Sequence, residues 1–281
     1  MDILHILEHS FFESLNLLPF LFIAYLFLEY LEHKSQKKII DVVQKSSKFG
    51  PLLGSILGLF PHCGFSAMAS SFYATRVITL GSLVAVYLAT SDEMIPIFLS
   101  EGISGSVIFS VLFIKFIFAV VFGFFIDFIF KSKKTKNFQI REFCSCSNCN
   151  CEDGIFFSSV RHTFIIWCWI FAFNFILSFI MDFAGVNYIT SILSDDFIGT
   201  KFIVGIFGLI PNCASSVILA KLYTTGVLSF SSFISGSLVG SGLGLIVLLK
   251  MNKSMKENLA IIIMLYFIAV VSGFILQWIG V

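Results

Sequence analysis

Two apolar segments interrupted by proline constrain the fold more than any other feature of this chain. Residues 59–64 read Leu-Phe-Pro-His-Cys-Gly, and residues 209–214 read Leu-Ile-Pro-Asn-Cys-Ala. The regions around them, 56–99 and 206–249, align without a gap at a constant offset of 150 residues. Because proline and cysteine recur with the same spacing at one offset, the sequence predicts that the chain contains two copies of one unit.

The composition places both copies in a lipid bilayer. Hydrophobic residues make up 57% of the chain and charged residues only 12%, whereas a soluble domain carries about 25% charged residues. Lipid offers no partner to backbone polar groups, and the apolar runs are too long and too uniform for barrel strands, so we predict helices. The expected fold class is an all-α polytopic membrane protein. The net charge of +1 says nothing about nucleic acid, and because the sequence has no basic stripe, no nucleic-acid partner is expected.

The apolar runs predict six full spans and two helical hairpins. The full spans are expected at 15–33, 78–99, 103–130, 159–182, 228–249 and 257–280. Four further pieces, 50–60 with 65–75 and 200–210 with 214–225, are too short to cross a hydrocarbon core of ~30 Å at about 1.5 Å per helical residue. We therefore expect each pair to form a broken, re-entrant hairpin that reaches the middle of the membrane.

The positions of the lysine-rich segments distinguish between two topologies, because such segments are expected on the cytoplasmic side. If residues 50–75 crossed the membrane once, the basic segments 34–48 and 131–141 would face opposite sides. A hairpin removes this conflict and places both segments, together with 250–257, on the cytoplasmic side of the membrane, with the N-terminus outside. The two halves are then inverted, and each has three full spans plus a hairpin. The expected division is a first repeat (1–130), a cytosolic linker loop (131–158) and a second repeat (159–281).

The hairpin tips are the first candidate site. A broken helix in lipid is tolerated only inside protein or around a water-filled cavity, and the start of each second arm offers free amides at a positive dipole end. Two hairpins from opposite faces would bring His62, Cys63, Asn212 and Cys213 together near the middle of the membrane. Ser66 and Ser216, in the first turn of each second arm, are the further candidate ligands of this site. The alternative is that the two cysteines are small buried apolar side chains at helix kinks.

A second candidate site is a polar step halfway along the predicted span 78–99. It reads Thr90-Ser91-Asp92-Glu93, and its counterpart at 240–243 contains Ser241 but no carboxylate. Carboxylates inside a membrane are costly and usually lie on ion or proton paths. We therefore predict that Asp92 and Glu93 bind a cation or carry protons, with Thr90, Ser91 and Ser241 beside them. The alternative is that both carboxylates pair with Arg76.

A third candidate is a group of four thiols in the cytosolic loop. Cys144, Cys146, Cys149 and Cys151 lie within eight residues and can bind a soft ion as thiolates. We predict an accessory loop that collects or senses metal, and the alternative is a degenerate, palmitoylated loop. Cys168 is expected to be an inert thiol in the core.

The two proline–cysteine motifs, the Thr-Ser-Asp-Glu step and the Cys-rich loop together resemble a known family. It comprises bacterial heavy-metal exporters described as having ten membrane segments, which are variously labelled arsenic efflux proteins or manganese transporters. The resemblance extends from His9 to the last span, and ten segments result if each hairpin arm is counted. It implies export of a metal or metalloid ion from the cytoplasm.

Ligand chemistry leaves the identity of the ion open. Manganese prefers carboxylate, carbonyl and imidazole ligands, which Asp92, Glu93, His62 and Asn212 would supply. Trivalent arsenic, zinc, cadmium and copper(I) prefer thiols, which Cys63 and Cys213 would supply. These six residues are the predicted metal ligands. The thiols tilt the expectation weakly toward a soft or borderline ion.

Several points about mechanism stay open in the sequence. No permanently bound cofactor is expected, and because the sequence has no Walker motif, we expect coupling to protons or sodium through Asp92 or Glu93. A homodimer is compatible with the glycine-rich helices. The alternative functions are a transporter of sulfur-containing or other oxyanions, an intramembrane thiol redox enzyme and a metal sensor. The preferred interpretation is export of a metal or metalloid ion by a protein that is not an enzyme.

Overall fold

The computed structural model describes residues 49–60, 63–91, 94–130, 155–184, 199–211 and 213–280, together with single positions between 7 and 26. These residues form helices and, within the described ranges, no strand. In chain order the helices are α1 (Gly50–Gly58), α2 (Cys63–Ala74), α3 (Leu80–Ala89), α4 (Met94–Ser100), α5 (Gly105–Ile129), α6 (Ile155–Ala184), α7 (Thr200–Gly208), α8 (Cys213–Thr224), α9 (Phe230–Val239), α10 (Gly244–Met251) and α11 (Met255–Ile279).

Three described stretches are long and apolar enough to cross a membrane. They are Gly105–Ile129, Phe230–Met251 and Met255–Ile279. The second stretch includes both α9 and α10, which follow each other across a short break. Together with the helical content, these stretches confirm the predicted class of all-α membrane protein. The first predicted span, 15–33, lies largely outside the described residues.

The bounds of the helices repeat at the same offset as the sequence. Helices α1, α2, α3 and α5 begin and end 150 residues before α7, α8, α9 and α11, and α4 begins 150 residues before α10. The helix caps repeat as well, because the hydroxyl oxygen of Thr79 accepts the amide of Ser82 at the start of α3 and Ser229 accepts that of Ser232 at the start of α9. The two halves therefore share one local design.

Helix breaks lie where the sequence predicts them. Helix α7 ends at Gly208, shortly before Pro211. Proline disfavours helical geometry in the residue before it and has no amide hydrogen to donate, so a helix ends close to it. Helix α3 ends at Ala89 before α4 begins at Met94, and α9 ends at Val239 before α10 begins at Gly244. We refer to these two interruptions as the first break and the second break.

Packing links the two halves in a reciprocal manner. Within each half, α3 packs on α1 and α5, and α9 packs on α7 and α11. Between the halves, α2 packs on α10 while its counterpart α8 packs on α4, and α3 meets its own counterpart α9. A two-fold relation between the halves would give this exchange of partners. The orientation of such an axis relative to the membrane, and hence the predicted inversion, stays a prediction.

Gly58 and its equivalent Gly208 lie where the backbones of two helices approach each other closely. A Cβ atom on Gly58 would lie 2.5 Å from the carbonyl oxygen of Val86, and a Cβ atom on Gly208 would lie 2.2 Å from that of Gly236. The two contacts are equivalent in the two halves, and both are too short for any side chain. Glycine is thus required where α1 meets α3 and where α7 meets α9.

One ion pair joins the halves at the end of α2. Arg76 has a left-handed backbone (φ 61°), as does the equivalent Gly226 (φ 74°), and glycine adopts this conformation at lower cost. The Arg76 guanidinium donates to the two carboxylate oxygens of Glu257 at 2.6 and 2.7 Å, and the Tyr73 hydroxyl donates to the same carboxylate. These hydrogen bonds with Glu257 raise the pKa of Arg76 above its ordinary value.

This ion pair has two consequences. The turn after α2 and the start of α11 lie at the same end of the helix body. In addition, Arg76 is engaged by Glu257, which disfavours the alternative in which it pairs with Asp92 or Glu93. A further expectation was wrong: Cys168 is exposed on α6 rather than buried in a core.

Replacing Gly208 by alanine tests the close approach of α7 and α9. We expect Gly208→Ala to lower the free energy of unfolding by about 1–3 kcal/mol, because backbone must shift to admit the methyl group. Thermal unfolding of the purified protein in detergent measures the change. Gly105→Ala is the matched control, since nothing lies within 4 Å of a Cβ atom at that position. Equal unfolding midpoints for the two variants would contradict the packing described here.

Candidate functional site

A small polar cavity lies between the two breaks and includes three of the predicted site residues. Thr90 and Ser91 come from the first break, and Ser216 comes from the first turn of α8. The cavity has a volume of about 20 Å³, which is enough for one water-sized species. Its lining consists of Thr90, Ser91, Met94, Lys115, Ser216, Leu219, Phe233, Ser237 and Gly240. We call it the polar cavity.

The hydroxyl groups of the first break are oriented by the end of α3. Thr90 leaves helical geometry, with φ −53° and ψ 127°, while its amide still donates to the carbonyls of Val86 and Tyr87. The Thr90 hydroxyl donates to the carbonyl of Val86 at 2.8 Å, and the Ser91 hydroxyl donates to that of Ala89 at 3.0 Å. Because each hydroxyl proton is directed to a carbonyl, the oxygen lone pairs remain available as acceptors.

Lys115 contributes a positive charge to the polar cavity. It lies near the middle of the 25-residue helix α5 and is 1% exposed. Its ammonium group donates to the carbonyl oxygen of Thr90 and, at 2.9 Å, to that of Ser237. The motifs singled out in the sequence do not include Lys115, because it lies outside the aligned regions 56–99 and 206–249. The available signal was a lysine inside an otherwise apolar span, which is functional by default in a membrane helix.

The equivalent position beside the second break is filled. Ser66, in the first turn of α2, packs against Gly244, on which a Cβ atom would lie 2.8 Å from the Ser66 Cβ and from the Tyr87 ring. The Ser70 hydroxyl lies 2.6 Å from the Tyr87 hydroxyl and donates to the carbonyl of Gly244 at 2.7 Å. Ser241 is buried in the second break, and its carbonyl accepts the amide of Gly244.

Helices α2 and α8 each meet the break of the opposite half. Helix α8 contributes Ser216 to the surroundings of the first break, and α2 packs Ser66 against the end of the second break. Two equivalent positions differ in a decisive way. Tyr87 in the filled arrangement corresponds to Ser237 in the polar cavity, and Leu265 corresponds to Lys115. The sequence differences thus leave one arrangement open and charged and the other closed.

The remaining predicted site residues lie outside what the structure describes. This applies to His62, Asp92, Glu93 and Asn212, and to the loop thiols Cys144, Cys146, Cys149 and Cys151. Cys63 and Cys213 are the first residues of α2 and α8, but their side chains are outside the described set. Within the described part of the chain, His, Cys, Asp and Glu side chains form no group of three able to hold a metal ion. The predicted metal ligands stay a prediction.

Asp127 is a second charged residue inside a membrane-length helix that the sequence motifs do not include. Its carboxylate accepts from the Thr79 hydroxyl at 2.7 Å and from the amide of Gly81 at 2.8 Å. A carboxylate at a helix N-terminus satisfies free amides and complements the positive end of the helix dipole. The contacts assign Asp127 to the capping of α3 by α5, and it does not line the polar cavity.

Comparison with known proteins gives one match. The model of a family described as "Putative, 10TM heavy-metal exporter" matches residues 2–196. This match covers the first half, the linker loop and α6, and it confirms the family suggested by the motifs. No curated protein and no solved structure matches the chain.

Proposed function

We propose that this chain, which belongs to the family of 10TM heavy-metal exporters, is a secondary transporter. It carries a heavy-metal or metalloid ion out of the cytoplasm through the polar cavity. The family supports metal export and a membrane location. The passage of the ion between the two breaks is our own assignment.

The polar cavity is the observation that carries this proposal. Discontinuous helices at the interface of two repeats are the usual way in which secondary transporters build a binding site near the bilayer midplane. Here two interrupted helices, the start of a hairpin arm and a buried charge converge on one space. Asp92 follows Ser91 directly in the sequence, so the predicted carboxylate ligands are sequence neighbours of two lining residues.

The ion pair of Arg76 with Glu257 supports the hairpins and the inversion. Four membrane-length segments, α3–α4, α5, α6 and α9–α10, separate these residues, in addition to α7–α8. If each of the four crosses once, Arg76 and Glu257 reach the same side only when α7–α8 returns to the side that it entered. The repeat extends this argument to α1–α2. The two halves then have opposite orientations, and counting every hairpin arm separately gives ten segments.

Labelling of equivalent threonines tests this topology. We expect a membrane-impermeant maleimide to label Thr225→Cys in intact cells but to label Thr75→Cys only in inside-out vesicles, because inverted halves present equivalent turns to opposite sides. Each substitution is made in protein lacking its native cysteines. Lys253→Cys, in the loop between α10 and α11, is the cytoplasmic reference. Labelling of both threonine positions from the same side would contradict the inversion.

A specific observation keeps oxyanion transport as the second candidate. The Lys115 ammonium group and the N-terminal turn of α8 both favour negative charge in or near the polar cavity. Cation export requires that Asp92 and Glu93 offset this positive charge. Oxyanion transport does not require them, so the two candidates differ in their dependence on those carboxylates.

Measurement of cell-associated metal tests the proposed export. We would express the protein in a bacterium that lacks its own exporters and challenge the cells separately with manganese, zinc, cadmium and arsenite. We expect the content of one of these elements to fall, and Ser237→Tyr to abolish the fall because it introduces the side chain that fills the equivalent position at Tyr87. Ser237→Ala is the matched control and should retain export, since its backbone carbonyl still accepts from Lys115.

The same assay distinguishes the substrates. The double variant Cys63→Ser with Cys213→Ser should lose export of arsenite, zinc or cadmium but spare export of manganese, which prefers oxygen and imidazole ligands. Unchanged content of every element, with the protein present in the membrane, would contradict the exporter proposal. Accumulation of an oxyanion in such cells would favour the second candidate.

A further inference from the structure

Four aromatic side chains meet where α4, α8 and α9 come together. The ring of Tyr223 stacks on that of Phe233, with their centroids 4.7 Å apart, and the ring of Phe98 lies 5.7 Å from the first and 5.6 Å from the second. Phe230 meets Tyr223 edge to face at 5.9 Å. Aromatic pairs at such distances attract each other in addition to burying apolar surface. We call Phe98, Tyr223, Phe230 and Phe233 the aromatic cluster.

The aromatic cluster lies directly beyond one end of the polar cavity. Phe233 belongs to both, because it also lines the cavity. Helix α4 carries Met94 at the cavity and Phe98 in the cluster, and α8 carries Ser216 at the cavity and Tyr223 in the cluster. The interval from Ser216 to Tyr223 covers about 10 Å along a helix. Both helices therefore lead away from the cavity in the same direction, toward the turn that follows α8.

A transported ion needs a path from its site to each side of the membrane in turn. The seam between α4 and α8 follows such a path, since the two helices pack together and both contribute to the cavity. In this structure the seam is closed, because Phe98 is 0% exposed and Phe233 is 1% exposed. The rings of the aromatic cluster therefore block the path.

The equivalent positions in the other half show what the shared frame requires. Leu248 is equivalent to Phe98 and Leu83 is equivalent to Phe233, and both leucines are fully buried. Apolar side chains without rings thus satisfy the packing of these positions. The rings lie instead beside the polar cavity, where a path has to be closed and reopened.

The end of α8 also lacks a fastening that holds the end of α2. Arg76, which follows α2, forms an ion pair with Glu257. The positions equivalent to these two residues hold Gly226 and Val107, so the same pair cannot form after α8. Uncharged ring contacts hold Tyr223 against α4 and α9. A charge that loses its partner in an apolar interior is costly, and separation of the rings involves no such cost.

We propose that the aromatic cluster is a gate of the polar cavity, and that the transported ion passes between α4 and α8 when Phe98 and Tyr223 separate. The passage of an ion rests on the proposed function, whereas closure of the cavity by the rings does not. In the topology proposed above, Thr225 faces the outside. The gate is then the exit for the exported ion.

A cysteine in the polar cavity reports whether the gate is closed. We would introduce Ser216→Cys into the full-length protein without its native cysteines and treat intact cells with a membrane-impermeant cationic methanethiosulfonate. Counting the thiols that still react with maleimide after denaturation gives the labelling rate. In Phe98→Ala and Tyr223→Ala this rate should rise about tenfold or more, because an open state populated at about 10% or less becomes the main one.

Three further variants control for a general loosening of the protein. Tyr223→Phe keeps the ring and should leave the labelling rate low. Tyr73→Ala removes the equivalent tyrosine of α2, which does not line the polar cavity, and should also leave the rate low. Phe98→Leu retains an apolar side chain, so it keeps the test decisive if the alanine variants do not insert, and it should raise the rate.

The side of labelling decides where the gate leads. The increase should appear from the side on which Thr225→Cys is labelled, with intact cells and inside-out vesicles giving access to the two sides. Equal labelling rates with and without the rings would overturn the gate. An increase of the same size in Tyr73→Ala, or an increase from the opposite side, would overturn it as well.

Export measured in the same ring variants, with the native cysteines present, separates the gate from the proposed function. Tyr223→Ala should lose metal export, because a cavity that stays open to one side no longer alternates, and Tyr223→Phe should retain it. Unchanged export in Tyr223→Ala would contradict the gate. Failure of metal export in every protein, with labelling still controlled by the rings, would count against the proposed function only.

Discussion

Backbone groups that lose their helical partners inside lipid are the constraint on which this structure depends. In each half a short helix, α2 or α8, lies beside the helix break of the other half. Every exposed carbonyl or amide must then find a partner within protein. At the first break, the Ser91 hydroxyl donates to the carbonyl of Ala89 and the ammonium of Lys115 donates to that of Thr90. At the second break, the amide of Gly244 donates to the carbonyl of Ser241. Satisfying these groups fixes how the two halves pack.

Departures from the repeat make two equivalent positions of the described frame differ. The helix bounds and caps of the two halves correspond closely, so the frame alone would give two equal positions. A tyrosine closes one of them, whereas a serine and a lysine leave the other open and charged. Transport through such a frame needs only one site that both halves can face in turn. The sequence differences select which of the two positions this is.

Local features of the sequence were sufficient to predict the helices and their interruptions, because the steric effects of proline and glycine and the length of an apolar run act over a few residues. Contacts between distant segments were not predictable in this way. In the sequence, Lys115 is one lysine in a phenylalanine-rich span. Only the packing of α5 shows that its side chain reaches the carbonyls of Thr90 and Ser237. The pairing of Arg76 with Glu257 and the meeting of each hairpin arm with the opposite break likewise follow from packing. The roles of Asp92 and Glu93 stay predictions.

The location of the transported ion tests the central claim most directly. An anomalous-scattering map of crystals of the full chain grown with the exported metal, cadmium or manganese for example, would show where that ion binds. The account predicts a peak in the polar cavity beside Thr90, Ser91 and Ser216, and loss of this peak in Ser237→Tyr. A peak confined to residues 144–151 or to the protein surface, with the cavity free of metal, would contradict it.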